Sequence, residues 1–376
     1  MARQKAAPRI CAVLLLAGSL LLARPAQALE DLADYVFVAN RTSPEIAVID
    51  TAVDRVVTQA VVADIPDQYV LSEAAGKLIA SHRASKKLSI FDLRGFRLER
   101  VLELDFDPEQ LQLGPEGERL AVSSSADGLV AWLPLDGSGT IRRLEVPDPG
   151  YMAFNRRGDL LFVGSRSHGR VFMLDLEGAK LAKEIDLGTN GTGVTYLART
   201  PGALLSFALH GESGVVSVID LMAQSYMGAL QLPGPAKRAF PTADSQFVLI
   251  PNESDGSVSK ISTWSLKVRK SLPGADAVSG INTGMFEQIG VVLDRDENKA
   301  RLIDLWSGAA LNSLALPGRP ETGVTTDAGR KVYVALSGTD RVAVIDLIEQ
   351  RLAGMIEGVG DEPWAVSSPG GASYCH

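Results

Sequence analysis

Ile46-Ala47-Val48-Ile49-Asp50-Thr51 is a short apolar run that stops on an aspartate, and its last three residues set a rhythm for the whole chain. The phrase returns as Phe91-Asp92-Leu93, Leu174-Asp175-Leu176, Ile219-Asp220-Leu221, Ile303-Asp304-Leu305 and Ile345-Asp346-Leu347, with degenerate copies at Leu133-Pro134-Leu135 and Ile261-Ser262-Thr263. The column at 50, 92, 134, 175, 220, 262, 304 and 346 advances in steps of 42, 42, 41, 45, 42, 42 and 42 residues. A period of that length marks a repeat architecture, in which each unit is one supersecondary element that cannot bury its own faces.

Inside each unit the pattern is constant. The last one reads Thr322-Gly323-Val324-Thr325, a turn at Asp327-Ala328-Gly329-Arg330, Val332-Tyr333-Val334-Ala335, a turn at Ser337-Gly338-Thr339-Asp340, Val342-Ala343-Val344-Ile345, and a closing run Arg351-Leu352-Ala353-Gly354-Met355-Ile356. Runs of four to six β-branched and aliphatic residues between Gly, Asp and Ser turns are strands. Four per unit makes one antiparallel propeller blade. Eight units predict an all-β, eight-bladed β-propeller. The ring must close, because an open end would expose a blade face and a strand edge. Its closure is written in the two ends: the first unit starts on what is the second strand elsewhere, Tyr35-Val36-Phe37-Val38-Ala39-Asn40. The missing first strand reads as Glu362-Pro363-Trp364-Ala365-Val366-Ser367-Ser368. The C-terminal strand is expected to complete blade one.

Residues 1–28 carry a separate signal. Arg3, Lys5 and Arg9 precede an apolar stretch from Ile10 to Leu22, and Ala26-Gln27-Ala28 is a small-x-small cleavage site. This is the pattern of a cleaved secretory peptide. It predicts an exported protein, periplasmic or secreted, with no membrane insertion, and a single domain over 29–376. The first 28 residues hold four of the 37 basic residues and no acidic one, so the remainder carries a formal charge of −12 instead of −8. That surface disfavours nucleic acid as a partner. Cys375 is the one cysteine left after cleavage, which excludes an intramolecular disulfide.

The units resemble the YVTN-type β-propeller repeat: Tyr35-Val36-Phe37-Val38-Ala39-Asn40 followed by Ile46-Ala47-Val48-Ile49-Asp50-Thr51 is a close match, and Gly360-Asp361-Glu362-Pro363-Trp364-Ala365-Val366 matches the opening of the repeat. The eight-unit count is similar to the cytochrome d1-type propeller. That resemblance implies a haem-type or metal cofactor, a role in cofactor maturation, or a lactonase-like activity, since these occur on the fold. The chain departs from the d1 group in lacking Cys-x-x-Cys-His.

In a four-stranded blade, the connection into the first strand and the turn between strands two and three emerge at one mouth of the channel. The column ten residues before the aspartates lies at that turn: Asn40, His82, Ser124, Ser165, His210, Asn252, Asp294 and Leu336. With His168 nearby, His82 and His210 are candidate ligands to a metal or haem iron, and Asp294 and Asn252 are polar partners. The bland alternative is that these side chains cap turns. Arg238 and Trp364, near the starts of first strands, complete the candidate cofactor-binding set. The repeated aspartates are expected to bond amides of their own turns. No nucleophile motif or paired acids stand out, so no catalytic residue is expected. The reading is a non-catalytic binding or accessory protein for a small-molecule cofactor or a periplasmic protein partner. A haem-maturation protein or lactonase-like enzyme is the alternative. A third reading, a pure interaction scaffold, puts the weight on Trp264 and Trp306, just after their aspartate-column positions.

Overall fold

The computed structural model describes residues 29, 31–189, 192–326 and 329–369; residues 1–28, where the sequence predicts a signal segment, Asn190-Gly191 and Cys375 lie outside the described residues. The chain forms eight four-stranded antiparallel sheets arranged as blades of a ring. Seven are consecutive, covering 68–103, 110–145, 149–186, 196–231, 240–273, 278–315 and 320–356 (blades 2 to 8). Blade 1 combines Tyr35–Asn40, Glu45–Asp50 and Arg55–Val61 with Pro363–Ser367, which pairs antiparallel to Tyr35–Asn40 through Val38↔Val366 and Ala39↔Ala365. The C-terminal strand therefore closes the ring, as the sequence predicts.

Strand position decides sequence character. Second and third strands are buried almost throughout, because neighbouring blades cover both their faces, and they read as continuous apolar runs such as Val36-Phe37-Val38-Ala39. The outer strands alternate, as Arg55–Val61 does, because water lies along them. The core is a set of eight clusters, one at each seam between adjacent blades. Across the closing seam, Val36, Val38 and Val366 of blade 1 pack on Tyr333, Ala335 and Val342 of blade 8.

The aspartate column builds the turn between strands three and four. Asp50, Asp92, Asp220, Asp304 and Asp346 each accept a hydrogen bond from the amide two residues on, and Asp175 accepts from Gly178 three residues on. These turns lie on the face opposite the mouth. Just before the column, the register between strands three and four shifts in seven blades, a repeated bulge that adds twist to the outer edge.

Candidate functional site

The predicted mouth column lies inside the blades. Asn40, His82, Ser124, Ser165, His210, Asn252, Asp294 and Leu336 are all buried. Four of them reach a residue seven positions on, in the third strand: His82 Nε2 lies 2.8 Å from Ser89 Oγ, His210 Nε2 lies 2.9 Å from Ser217 Oγ, Asn252 Nδ2 donates to Ser259 Oγ at 3.0 Å, and Asp294 Oδ2 pairs with Arg301 at 3.0 Å. The other ring nitrogen of each histidine is also engaged, His82 Nδ1 with the Ile65 carbonyl and His210 Nδ1 with the Thr192 and Gly193 carbonyls. Each imidazole thus bridges the third strand of its blade to the connection entering that blade. Donation from Nδ1 to a carbonyl fixes the neutral tautomer with Nε2 as acceptor.

Burial pushes the pKa of both histidines below the usual value, against the favourable carbonyl contacts. The unfolded chain takes up these protons near pH 6.5 while the folded chain resists them. Stability is therefore complete above that pH and declines as the pH falls below it. Since Asn252 makes the equivalent bond, the His82→Asn/His210→Asn double variant is expected to fold and to lose part of this acid sensitivity. Urea midpoints at pH 7.5 and 5.5 measure it, and an unchanged difference between the two pH values would refute the assignment.

His168 is exposed, with Nδ1 2.8 Å from Ser167 Oγ, on the turn of blade 4. The structure does not bring the three histidines together, and among the described residues no three His, Cys, Asp or Glu side chains converge to hold a metal.

One residue further along, the side chains leave the blade. That column reads Arg41, Arg83, Ser125, Arg166, Gly211, Glu253, Arg295 and Ser337, so four of eight repeats place an arginine at the mouth. Two carboxylates meet them, Glu109 just before the inner strand of blade 3 and Glu321 at the start of the inner strand of blade 8. Glu321, 8 % exposed, accepts from Arg295 Nη2 at 2.7 Å and from Ser337 Oγ at 2.7 Å, and Arg41 stands 3.9 Å away. Glu109 accepts from Arg166 and from the Ser125 hydroxyl and amide. Burial works to raise the Glu109 pKa, but the Ser125 bonds and the charges of Arg166 and Arg83 bring it below the usual carboxylate value.

Arg238 and Arg319 join this ring. Arg238 is half-buried and donates to the Ser279 carbonyl at 2.9 Å, and it borders a cleft of about 250 Å³ between blades 6 and 7 that Arg295, Asn252 and Asp276 also line. The Arg295 pKa is lowered by burial and by the charges of Arg319, Arg238 and Arg41, against the pull of Glu321. Its Nε is buried with no hydrogen-bond partner among the described residues. Tyr151, whose pKa burial raises against the charges of Arg238 and Arg166, packs on Tyr196 with ring centroids 4.7 Å apart. Trp364 carries the Arg41 guanidinium 5.8 Å from its ring centroid. Six arginines, the buried Glu321, the half-buried Glu109 and the rings of Tyr151 and Trp364 therefore share one mouth.

A larger cleft, about 490 Å³, opens on the opposite face among blades 2 to 4. Two of its three cations are engaged, Lys77 by Glu99 and Arg119 by the Gly158 carbonyl at 2.7 Å, and the third, Arg157, is exposed.

Comparison with solved structures agrees with this architecture. Dihydro-haem d1 dehydrogenase NirN in complex with DHE superposes with a TM-score of 0.76 at 13 % identity, over 93 % of this chain and 78 % of that one. The chain shares the cytochrome d1-type propeller fold. Apo AztD from Citrobacter koseri matches with a TM-score of 0.67 at 14 % identity, over 90 % of this chain and 98 % of that one. Hydrazine synthase of Kuenenia stuttgartiensis matches at 0.57 and 15 % identity, over 75 % and 95 %. No protein-family model matches the chain, and no curated protein matches it in sequence. Among the described residues no helix is long and apolar enough to cross a membrane.

Proposed function

We propose that this propeller is an exported, non-catalytic binding or accessory protein whose mouth takes a small molecule bearing two or more acidic groups. The observation that carries this reading is the gathering of guanidinium groups at the mouth: Arg41, Arg83, Arg166, Arg238, Arg295 and Arg319 cluster around Glu109 and Glu321, with Glu253, Asp276 and Asp67 at the rim, in a chain that is acidic as a whole. Like charges held together cost free energy, and an anionic ligand relieves that cost while the partly buried setting strengthens each contact. Arg238 and Trp364 touch the ligand in this reading. His82, His210, Asn252 and Asp294 hold the blades behind it.

The likeness to NirN, which is described in complex with DHE, favours a second and narrower reading in which the ligand is a carboxylated tetrapyrrole. The chain's groups fit such a molecule. Arginines on both sides of the channel suit acidic side arms, Tyr151 and Trp364 suit a planar ring, and the exposed His168 suits an iron. A haem, when bound, would supply redox or ligand-binding chemistry.

Titrations with iron protoporphyrin IX and with citrate, followed by absorbance and calorimetry, test both readings. Binding of both that weakens with salt is the expected result for a general polyanion site. Binding of the porphyrin alone supports the narrower reading, and a protein indifferent to both would overturn the proposal.

A further inference from the structure

On the face opposite the mouth, the position two residues after the aspartate column forms the tip of each blade's outer turn. Around the ring it reads Ala52, Arg94, Asp136, Glu177, Met222, Trp264, Trp306 and Ile348, every one of them exposed. Blades 5 to 8 present four consecutive apolar tips, with Trp264 90 % and Trp306 66 % exposed, whereas blades 2 to 4 present only charge. The inner turns follow this division in part, since blade 6 exposes Asp244 there. Leu204 of blade 5 and Phe286 of blade 7 are exposed, the latter by 92 %, while blades 2 to 4 offer Glu73, Glu116, Arg156 and Arg157.

These tips are held in place. Asp304 Oδ1 accepts from the amides of Trp306 and Ser307, and Asp346 Oδ1 from those of Ile348 and Glu349. Lys260 of blade 6 reaches across the seam to the Leu305 carbonyl at 2.6 Å and stands 5.3 Å from the Trp306 ring centroid. Phe286 sits in three successive left-handed residues, Met285, Phe286 and Glu287, with φ of 52°, 57° and 61°. Such a conformation is costly for residues other than glycine. Large apolar side chains on fixed, exposed turns mark an interaction surface.

The order of the tips identifies the partner. When two such faces meet about a two-fold axis lying in the face, between blades 6 and 7 on one side and blades 2 and 3 on the other, the rings run in opposite senses. Blade 6 then meets blade 7 of the second copy, 5 meets 8, 2 meets 3 and 1 meets 4. Trp264 faces the second Trp306, Met222 faces Ile348, Arg94 faces Asp136 and Ala52 faces Glu177. At the outer tips apolar side chains meet apolar ones, the single cation meets an anion twice and no like charges are opposed, while the inner turns set Glu73 opposite Glu116. We infer that this face is a self-complementary dimer interface that joins two copies of this chain through the tips of blades 5 to 8, leaving both arginine-lined mouths pointing outward. A membrane would match the apolar half alone and would leave Arg94, Asp136 and Glu177 unanswered. Isologous pairing of this kind is the commonest route to a homodimer.

Sedimentation velocity and light scattering on the mature protein at up to about 100 µM test the inference, since mass action makes a dimer visible as concentration rises. The wild type is expected to dimerise, and Trp264→Ser/Trp306→Ser is expected to weaken dimerisation by about 100-fold or more while the thermal midpoint measured at monomer-favouring dilution stays unchanged. Arg94→Asp alone is expected to weaken it about 10-fold, because two ion pairs per dimer become repulsive, and Arg94→Asp/Asp136→Arg is expected to restore it. A wild type that stays monomeric, a dimer indifferent to the tryptophans, or a charge swap without recovery would each overturn the assignment. So would a monomer that co-floats with phosphatidylglycerol vesicles through Trp264 and Trp306.

Discussion

Ending the chain before Pro363 is expected to abolish cooperative folding of the ring. The closing strand does several tasks at once. It pairs with Tyr35–Asn40, and it adds Ala365 and Val366 to the two clusters that flank blade 1. It also anchors neighbours on both sides: Tyr69 of blade 2 donates to the Phe37 carbonyl at 2.7 Å and stands 3.4 Å from that of Ala365, while Thr322 of blade 8 donates to the Trp364 carbonyl at 3.1 Å and accepts from the Val366 amide at 3.1 Å. Without the strand, Tyr35–Asn40 becomes an inner edge with unpaired backbone groups and open apolar faces, a template for aggregation. Burial of Trp364, Ala365 and Val366 alone is worth on the order of 5 kcal/mol, comparable with the whole stability of many domains. Calorimetric melting should therefore show a midpoint lower by about 10 °C or more, or no cooperative transition at all. A midpoint within about 2 °C of the full chain would mean that blade 1 is complete without its fourth strand.

The point substitution Val366→Asp should act in the same direction, because it buries a charge with no partner. On the far side of the same seam, Lys331 of blade 8 pairs with Asp54 of blade 1 at 2.7 Å, and Tyr333 Oη also donates to Asp54; burial, with this bond and the Asp54 charge added, raises the tyrosine pKa. That outer latch is partly exposed and supports the seam less than the buried strand does.

The fold was legible because a strand turn demands the same chemistry in every blade. Asp50 and its five copies each bond amides of their own turn, so the column is conspicuous at a fixed period, and blade count follows from it. The candidate site was harder to read for a reason that belongs to β-structure. Side chains alternate between faces, so a register error of one residue exchanges what is buried for what is exposed. The column Asn40, His82, His210, Asn252 and Asp294 is polar and periodic, yet it bonds the third strand from within. The arginines at 41, 83, 166 and 295 stand one position later at the same period, and that shift is the signal that would have found them. Glu109 and Glu321 could not be tied to Arg166 and Arg295 from sequence, because each pair joins neighbouring blades and exists only once those blades have packed together. The tips at Trp264 and Trp306 were visible as tryptophans following their turns, but their meaning depends on the circular order of all eight blades.

Charge reversal at the mouth gives the second large effect. Arg295→Glu removes one of the guanidinium donors, places a carboxylate beside Glu321 and leaves Arg41 as the nearest cation to that acid. Each charge-assisted bond to a ligand acid contributes about 1.5–3 kcal/mol, so loss of one donor together with new repulsion is expected to weaken binding of an acidic ligand by about 100-fold at low salt. The deficit should shrink as salt is raised, because screening reduces attraction in the wild type and repulsion in the variant alike. Glu321→Gln is expected to move affinity the other way, by about 3- to 10-fold, since Arg295 would no longer be shared with an internal carboxylate. Calorimetric titration of the acidic ligand against these two variants separates an electrostatic mouth from a merely shaped one. If both weaken binding equally, or if neither responds to salt, then Glu321 and Arg295 serve the blade 7–blade 8 seam and the ligand is held elsewhere.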